Sequence, residues 1–108
     1  MQATDESFWR GVELFNAGDY FEAHEVWEEI WTTTEGHERI FFQALIHFAV
    51  GCHHLGRGNR LGAARQWAKG VEKMRPFTPE WRGIRTAPLV EAAQGGMGLL
   101  PPIEKAEG

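Results

Sequence analysis

Apolar positions recur along the chain at helical spacing, and the breaks between runs fall at glycines. Phe8, Val12 and Phe15 stand at i, i+4, i+7 with Trp9 beside them, which predicts a first helix over about 5–17. Thr4 or Asp5 is its expected cap, and Asn16-Ala17-Gly18 ends it, because Gly18 turns left-handed at no steric cost. Tyr20, Ala23, Trp27, Ile30 and Trp31 predict a second helix over about 20–32, capped by Asp19, with Glu22, Glu25 and Glu29 facing water. From about His37 to Leu55 the pattern changes. Phe41, Phe42, Ala44, Leu45, Ile46, Phe48, Ala49, Val50, Cys52 and Leu55 cover most of a helical circumference, the mark of a central, buried helix. Asn59 opens a fourth helix over about 60–75, with Ala63, Ala64, Trp67, Val71 and Met74 inside and Arg65, Lys69, Glu72 and Lys73 outside, and Pro76 closes it.

Beyond Pro76 the pattern weakens. Thr78-Pro79-Glu80 has the form of a cap followed by proline at the first helical position, which predicts a turn of helix carrying Trp81, with Ile84 against the body. Residues 86–94 are expected as a short fifth helix with Leu89, Val90 and Ala93 inside, broken by Gly95, Gly96 and Gly98. The segment from about 95 to 108 is expected to be weakly structured, with a loosely attached tail from Pro101. No convincing alternation of period two occurs, so no sheet is expected.

Gly18, Ala23 and Trp27 recur as Gly58, Ala63 and Trp67, each 40 residues on. Each set reads as a helix, a glycine turn and a returning helix. The alanine lets the two helices approach, and the tryptophan fills the gap between pairs. The expected fold is therefore all-α: four to five helices forming two packed antiparallel helical hairpins, a tetratricopeptide-like bundle within a single domain over 1–108.

Eleven Lys and Arg stand against 15 Asp and Glu in 108 residues, a net charge of −4, with no basic tract. That balance gives no general attraction to nucleic acid or anionic lipid. Arg57, Arg60, Arg65 and Lys69 lie close in sequence and read as ordinary helix solvation. The apolar runs fall far short of the ~20 residues of a membrane helix. Met1-Gln2-Ala3-Thr4-Asp5 lacks the basic start of a secretory leader, so a cytoplasmic location is expected. A lone Cys52 excludes an intramolecular disulfide and reads as a small buried hydrophobe. Of the five tryptophans, Trp27, Trp31 and Trp67 belong to the core pattern. Trp9 and Trp81 are expected half exposed, at the ends of the core or in an interface.

Polar residues inside the apolar pattern carry the candidate chemistry. Gln43, His47, Gly51 and His54 fall at i, i+4, i+8, i+11 on the third helix, and His24 lies one turn from Glu28 on the second. Antiparallel packing of those helices would let His24, Glu28, His47 and His54 share one hydrogen-bonded cluster. An imidazole–carboxylate cluster in a low-dielectric cleft could take a transition metal or move a proton, or it could be satisfied and purely structural. Gly51 would admit a bulky neighbour such as Trp27 or Trp31. The chain has no HExxH element, no paired Glu-x-x-His elements, no Walker loop and no nucleophile elbow. Two readings stay open. One is a structural or protein-interaction module without cofactor, acting as a homo-oligomer or with a protein partner. The other is a metal-dependent or acid–base, hydrolase-like enzyme built on the four-residue cluster.

Phe15-Asn16-x-Gly18-x-Tyr20-Phe21-Glu22-Ala23-His24-Glu25-x-Trp27-Glu28-x-x-Trp31 resembles the opening signature of the bacterial and archaeal domain-of-unknown-function 309 family. Phe42-Gln43-Ala44-Leu45-Ile46, His54, Gly58-Asn59 and Gly62-Ala63 fit its second half, so the resemblance covers about residues 5–77. It implies a small, soluble fold of helical hairpins and no established activity. Ala44 departs from the family pattern, which usually has glycine there, and implies slightly looser helix packing.

Overall fold

The computed structural model describes residues 3–96 and 98–106. Five helices follow in order: α1 (Ala3–Asn16), α2 (Tyr20–Thr33), α3 (His37–Gly56), α4 (Arg60–Met74) and α5 (Ala87–Gly95). The fold is all-α, as the periodicity predicts. Helix α2 packs on both α1 and α3, and α3 packs on α4, so two antiparallel hairpins lie side by side. Their turns are built alike. Gly18 takes φ 86° and Gly58 takes φ 80°. The amide of Asp19 donates to the Leu14 carbonyl at 2.9 Å, and 40 residues on, Asn59 donates to His54 at 2.8 Å. The Asn59 side chain caps α4 by accepting from the Gly62 amide at 2.9 Å, whereas Asp19, expected to do the same for α2, makes no side-chain capping bond. Thr4 and Asp5, expected before α1, lie inside it.

The repeat extends further than three residues. Phe8, Gly11 and Trp27 of the first hairpin match Phe48, Gly51 and Trp67 of the second. The Trp27 indole N–H donates to the Phe8 carbonyl at 3.2 Å, and that of Trp67 to the Phe48 carbonyl at 3.3 Å. Gly11 and Gly51 form the notches beneath these rings: a methyl on either would overlap the indole. The bulky neighbour of Gly51 is thus Trp67, not Trp27 or Trp31. Both tryptophans are buried, and so are the alanines, Ala23 and Ala63, beside them. Each ring meets the partner helix's backbone directly, so the hairpins close tightly while the buried N–H keeps an acceptor.

The C-terminal third departs from the sequence reading. A 3₁₀ turn (Arg75–Phe77) follows α4, and the expected turn of helix around Trp81 is instead a two-stranded antiparallel hairpin, β1 (Glu80–Trp81) and β2 (Ile84–Arg85). Two-residue strands are too short to show an alternating pattern, which is why no sheet was legible. Arg82 at the hairpin tip has φ 52°, in the left-handed region. The guanidinium that this turn projects reaches Asp5 at 2.7 Å and Glu38 at 2.8 Å, tying the starts of α1 and α3 together over the rings of Phe8 and Phe42.

The segment expected to be weakly structured is pinned along residues 100–106. Asn16 donates to the Ile103 carbonyl at 2.9 Å and accepts from its amide at 2.7 Å. Leu100 and Ile103 are buried, Lys105 bridges to Ile84, and the Ala106 amide donates to Gly83. Residues 97, 107 and 108 of that expectation lie outside the described residues.

Helix α3 is central, as expected, but not buried all round. Phe41, Phe42, Ala44, Leu45, Phe48, Ala49 and Cys52 are core, while Gln43, Ile46, His47, Val50, His53 and His54 are half-buried and Ile40 is 41% exposed. One stripe of the helix therefore looks outward between α2 and α4.

The Trp joints give two linked expectations. Trp27→Ala should cost on the order of 3–5 kcal/mol in urea unfolding. Gly51→Ala, which helix propensity alone would make favourable by up to ~1 kcal/mol, should instead lose about 1–3 kcal/mol through overlap with Trp67. A stabilised Gly51→Ala variant would refute the notch.

Candidate functional site

The outward face of α2, α3 and α4 gathers the polar residues singled out in the sequence, and it does so in two separate groups. On α2, the His24 ring donates from Nδ1 to the Phe21 carbonyl at 3.1 Å, and its Nε2 lies 3.5 Å from Glu28 Oε2. Both contacts are local to one helix, one turn apart. The Glu28 side chain is 54% exposed, so this pair is wet and worth under ~1 kcal/mol. On α3, His47 turns the other way, toward α4, where its Nδ1 meets Gln66 Oε1 at 2.7 Å. With the amide oxygen accepting, the ring proton sits on Nδ1 and the Nε2 lone pair remains available. His54 has His53 as a ring neighbour at 6.3 Å, and His53 packs on Phe21 at 5.2 Å.

The single cluster of His24, Glu28, His47 and His54 is therefore corrected: His24 pairs with Glu28 within α2, His47 turns to Gln66 on α4, and His54 has His53 as its ring neighbour. The reason is angular: Arg39 and His53 are positions of α3 that meet α2, whereas His47 lies about 80–120° further round, toward α4. Arg39 stacks over Trp31 at 3.9 Å and donates to the Trp31 carbonyl at 2.9 Å. Gln66 is the partner that sequence reasoning missed. Its signal was available, since position 66 corresponds to Val26 on the repeat and breaks an apolar site with an amide. Among the described residues, no group of three or more His, Cys, Asp or Glu side chains is placed to hold a metal ion. A groove of about 740 Å³ lies elsewhere, between α4 and α5, floored by Ala63, Ala64, Trp67, Ala68 and Val71, and includes none of the four residues.

Burial lowers the pKa of His47, the Gln66 hydrogen bond opposes that shift, and the nearby Lys73 and Lys69 lower it further. Burial pushes the Cys52 thiol up to about 11, with the nearby Leu100 backbone and Trp67 side chain opposing the shift. Burial also raises the pKa of Tyr20. No described helix is long and apolar enough to cross a membrane.

Paired helical hairpins with tryptophan–glycine joints define a helical-repeat protein whose outward face is carried by the middle helix. The chain belongs to the family described as Domain of unknown function (DUF309), whose model matches residues 8–66, from the first core residue of α1 to Gln66 in α4. No curated protein matches it.

Because the folded pKa of His47 lies below its ordinary 6.5, the unfolded chain takes up this proton first as pH falls. This site's contribution to stability should be fully present above about 6.5, decline as pH drops below it and level off below the lowered folded value. His47→Gln should remove that part of the slope in urea midpoints measured from pH 8 to pH 5, and an unchanged slope would remove His47 from the account. Cys52, buried with its thiol protonated at neutral pH, should react with a thiol reagent only through opening of the structure. Labelling that keeps pace with the unfolded chain would contradict this.

Proposed function

We propose that this chain is a protein-interaction module and that its working surface is the outward face of α2, α3 and α4. One observation carries the reading. From Ile40 to Gly56, α3 contains no Asp, Glu, Lys or Arg, although its stripe of Gln43, Ile46, His47, Val50 and His54 is only half-buried and Ile40 is 41% exposed. A solvent-facing helix stripe is ordinarily charged. An uncharged one mixing aliphatic residues with hydrogen-bonding side chains has the composition of an interface centre, where charge is depleted. Phe21, 50% exposed at the edge of the same face, extends it. The free Nε2 of His47 is a hydrogen-bond acceptor for whatever docks there.

The reading is tested by placing a photo-crosslinking side chain at position 50 in the cell. A discrete adduct is expected from position 50 and not from Glu91, which is exposed on α5. No adduct at 50, or equal labelling from both positions, would overturn it.

A further inference from the structure

We propose that the partner on this face is a second copy of the chain, docked about a two-fold axis that runs along α3 and lays it parallel on its mate. The proposal rests on the interaction reading above and adds to it the identity and geometry of the partner. Its motive is the charge on the two helices that flank the uncharged stripe. Helix α2 carries Glu22, Glu25, Glu28 and Glu29 and no Lys or Arg. Its counterpart on the repeat, α4, carries Arg60, Arg65, Lys69 and Lys73 against the single Glu72.

Within one chain these sets stay apart. Among the described residues, no Lys or Arg salt bridge reaches the α2 glutamates, and none involves the α4 cations. Each set also repels itself. Glu22, Glu25 and Glu29 recur one turn apart, as do Arg65, Lys69 and Lys73, and like charges at that spacing destabilise a helix. A two-fold axis running parallel to α3, over its stripe at Ile46 and His47, resolves both. It sets α2 of each copy over α4 of the other and buries the α3 stripes against each other. Glu25 and Glu28 lie midway along α2, and Arg65 and Lys69 midway along α4. An axis parallel to the helices keeps each position along them, so the two sets lie level.

The face is about 30 Å long, the length of a 20-residue helix, and about 20 Å wide across three helices, or ~600 Å² per copy and ~1,200 Å² in all. That is the lower bound for a specific interface and fits a micromolar dimer. An isologous arrangement also closes on itself, whereas head-to-tail stacking of an acidic flank on a basic one would leave both ends free to polymerise.

Sedimentation equilibrium from about 1 μM to about 1 mM, the span such an area calls for, tests this. At low salt the mass should rise to twice 12.2 kDa and stop there, and high salt should shift it back toward the monomer. The double variants Glu25→Lys/Glu28→Lys and Arg65→Glu/Lys69→Glu change exposed positions, so thermal melts should stay cooperative. Each alone should dimerise at least ~10-fold more weakly, and an equimolar mixture of the two should restore a heterodimer.

A monomer at every concentration, growth past the dimer, charge variants that dimerise unaided, or a mixture that stays monomeric would each overturn the proposal. The crosslink at position 50 separates the two inferences. An adduct of doubled mass agrees with the dimer. An adduct of another mass overturns the dimer and leaves the interaction reading standing, and no adduct overturns both.

Discussion

Each hairpin depends on an indole seated in a glycine notch. A tryptophan in the second helix lies over Gly11 or Gly51 of the first and donates its N–H to a helical carbonyl, that of Phe8 or Phe48. This contact does two things that an aliphatic side chain could not do together. It fills the space between helices with the largest apolar side chain available, and it gives that side chain's one polar atom a partner that the backbone of the neighbouring helix already presents. Both joints span 19 residues and sit 40 residues apart, so the hairpins close at matching depth. The residues around them inherit corresponding roles: Ala23 and Ala63 at the close approach, Phe21 and Leu61 exposed just after the turn.

The end of the molecule opposite the glycine turns is held differently. The loop of 34–36 and the starts of α1 and α3 meet there, and helix starts carry unpaired amides and favour negative charge. Asp5 and Glu38 supply that charge, and Arg82 spans the two carboxylates from the tip of the β-hairpin. Trp81 adds a hydrogen bond from its indole to Glu38 at 2.7 Å. The chain after α4 thus serves as a clasp. It crosses to the first hairpin, and residues 100–106 run along it to Asn16. Leu100, buried in the same core as Cys52, links the clasp to α3.

With one side of the layer closed by core and clasp, α3 presents its other side to the outside. The distribution of charge around that stripe is a property of the assembled layer. Four glutamates on one flanking helix and four cations on the other are ordinary solvated faces when each helix is viewed alone. Set on either side of an uncharged helix, they make a surface that is acidic along one edge, basic along the other and apolar between.

How much of this was legible in the sequence differs by element. The four long helices, their glycine turns and the burial of Trp27, Trp67 and Cys52 follow from residues near one another in the chain, because helical periodicity and left-handed turns are local properties. The tryptophan joint was half legible: the 40-residue offset was visible, but Gly11 and Gly51 gain their meaning only when a partner helix lies over them. The tetrad of His24, Glu28, His47 and His54 was misread because spacing along one helix gives an angle on that helix and not the neighbour it faces. Packing turned His47 to Gln66 and left His24 with Glu28. Arg82 illustrates the limit most clearly. Nothing within several residues of it predicts Asp5 or Glu38, which are 77 and 44 positions away. By itself the sequence determined which segments coil and which side of each is apolar. Only the tertiary structure decided which side chains meet across helices, because those contacts join residues that no local pattern relates.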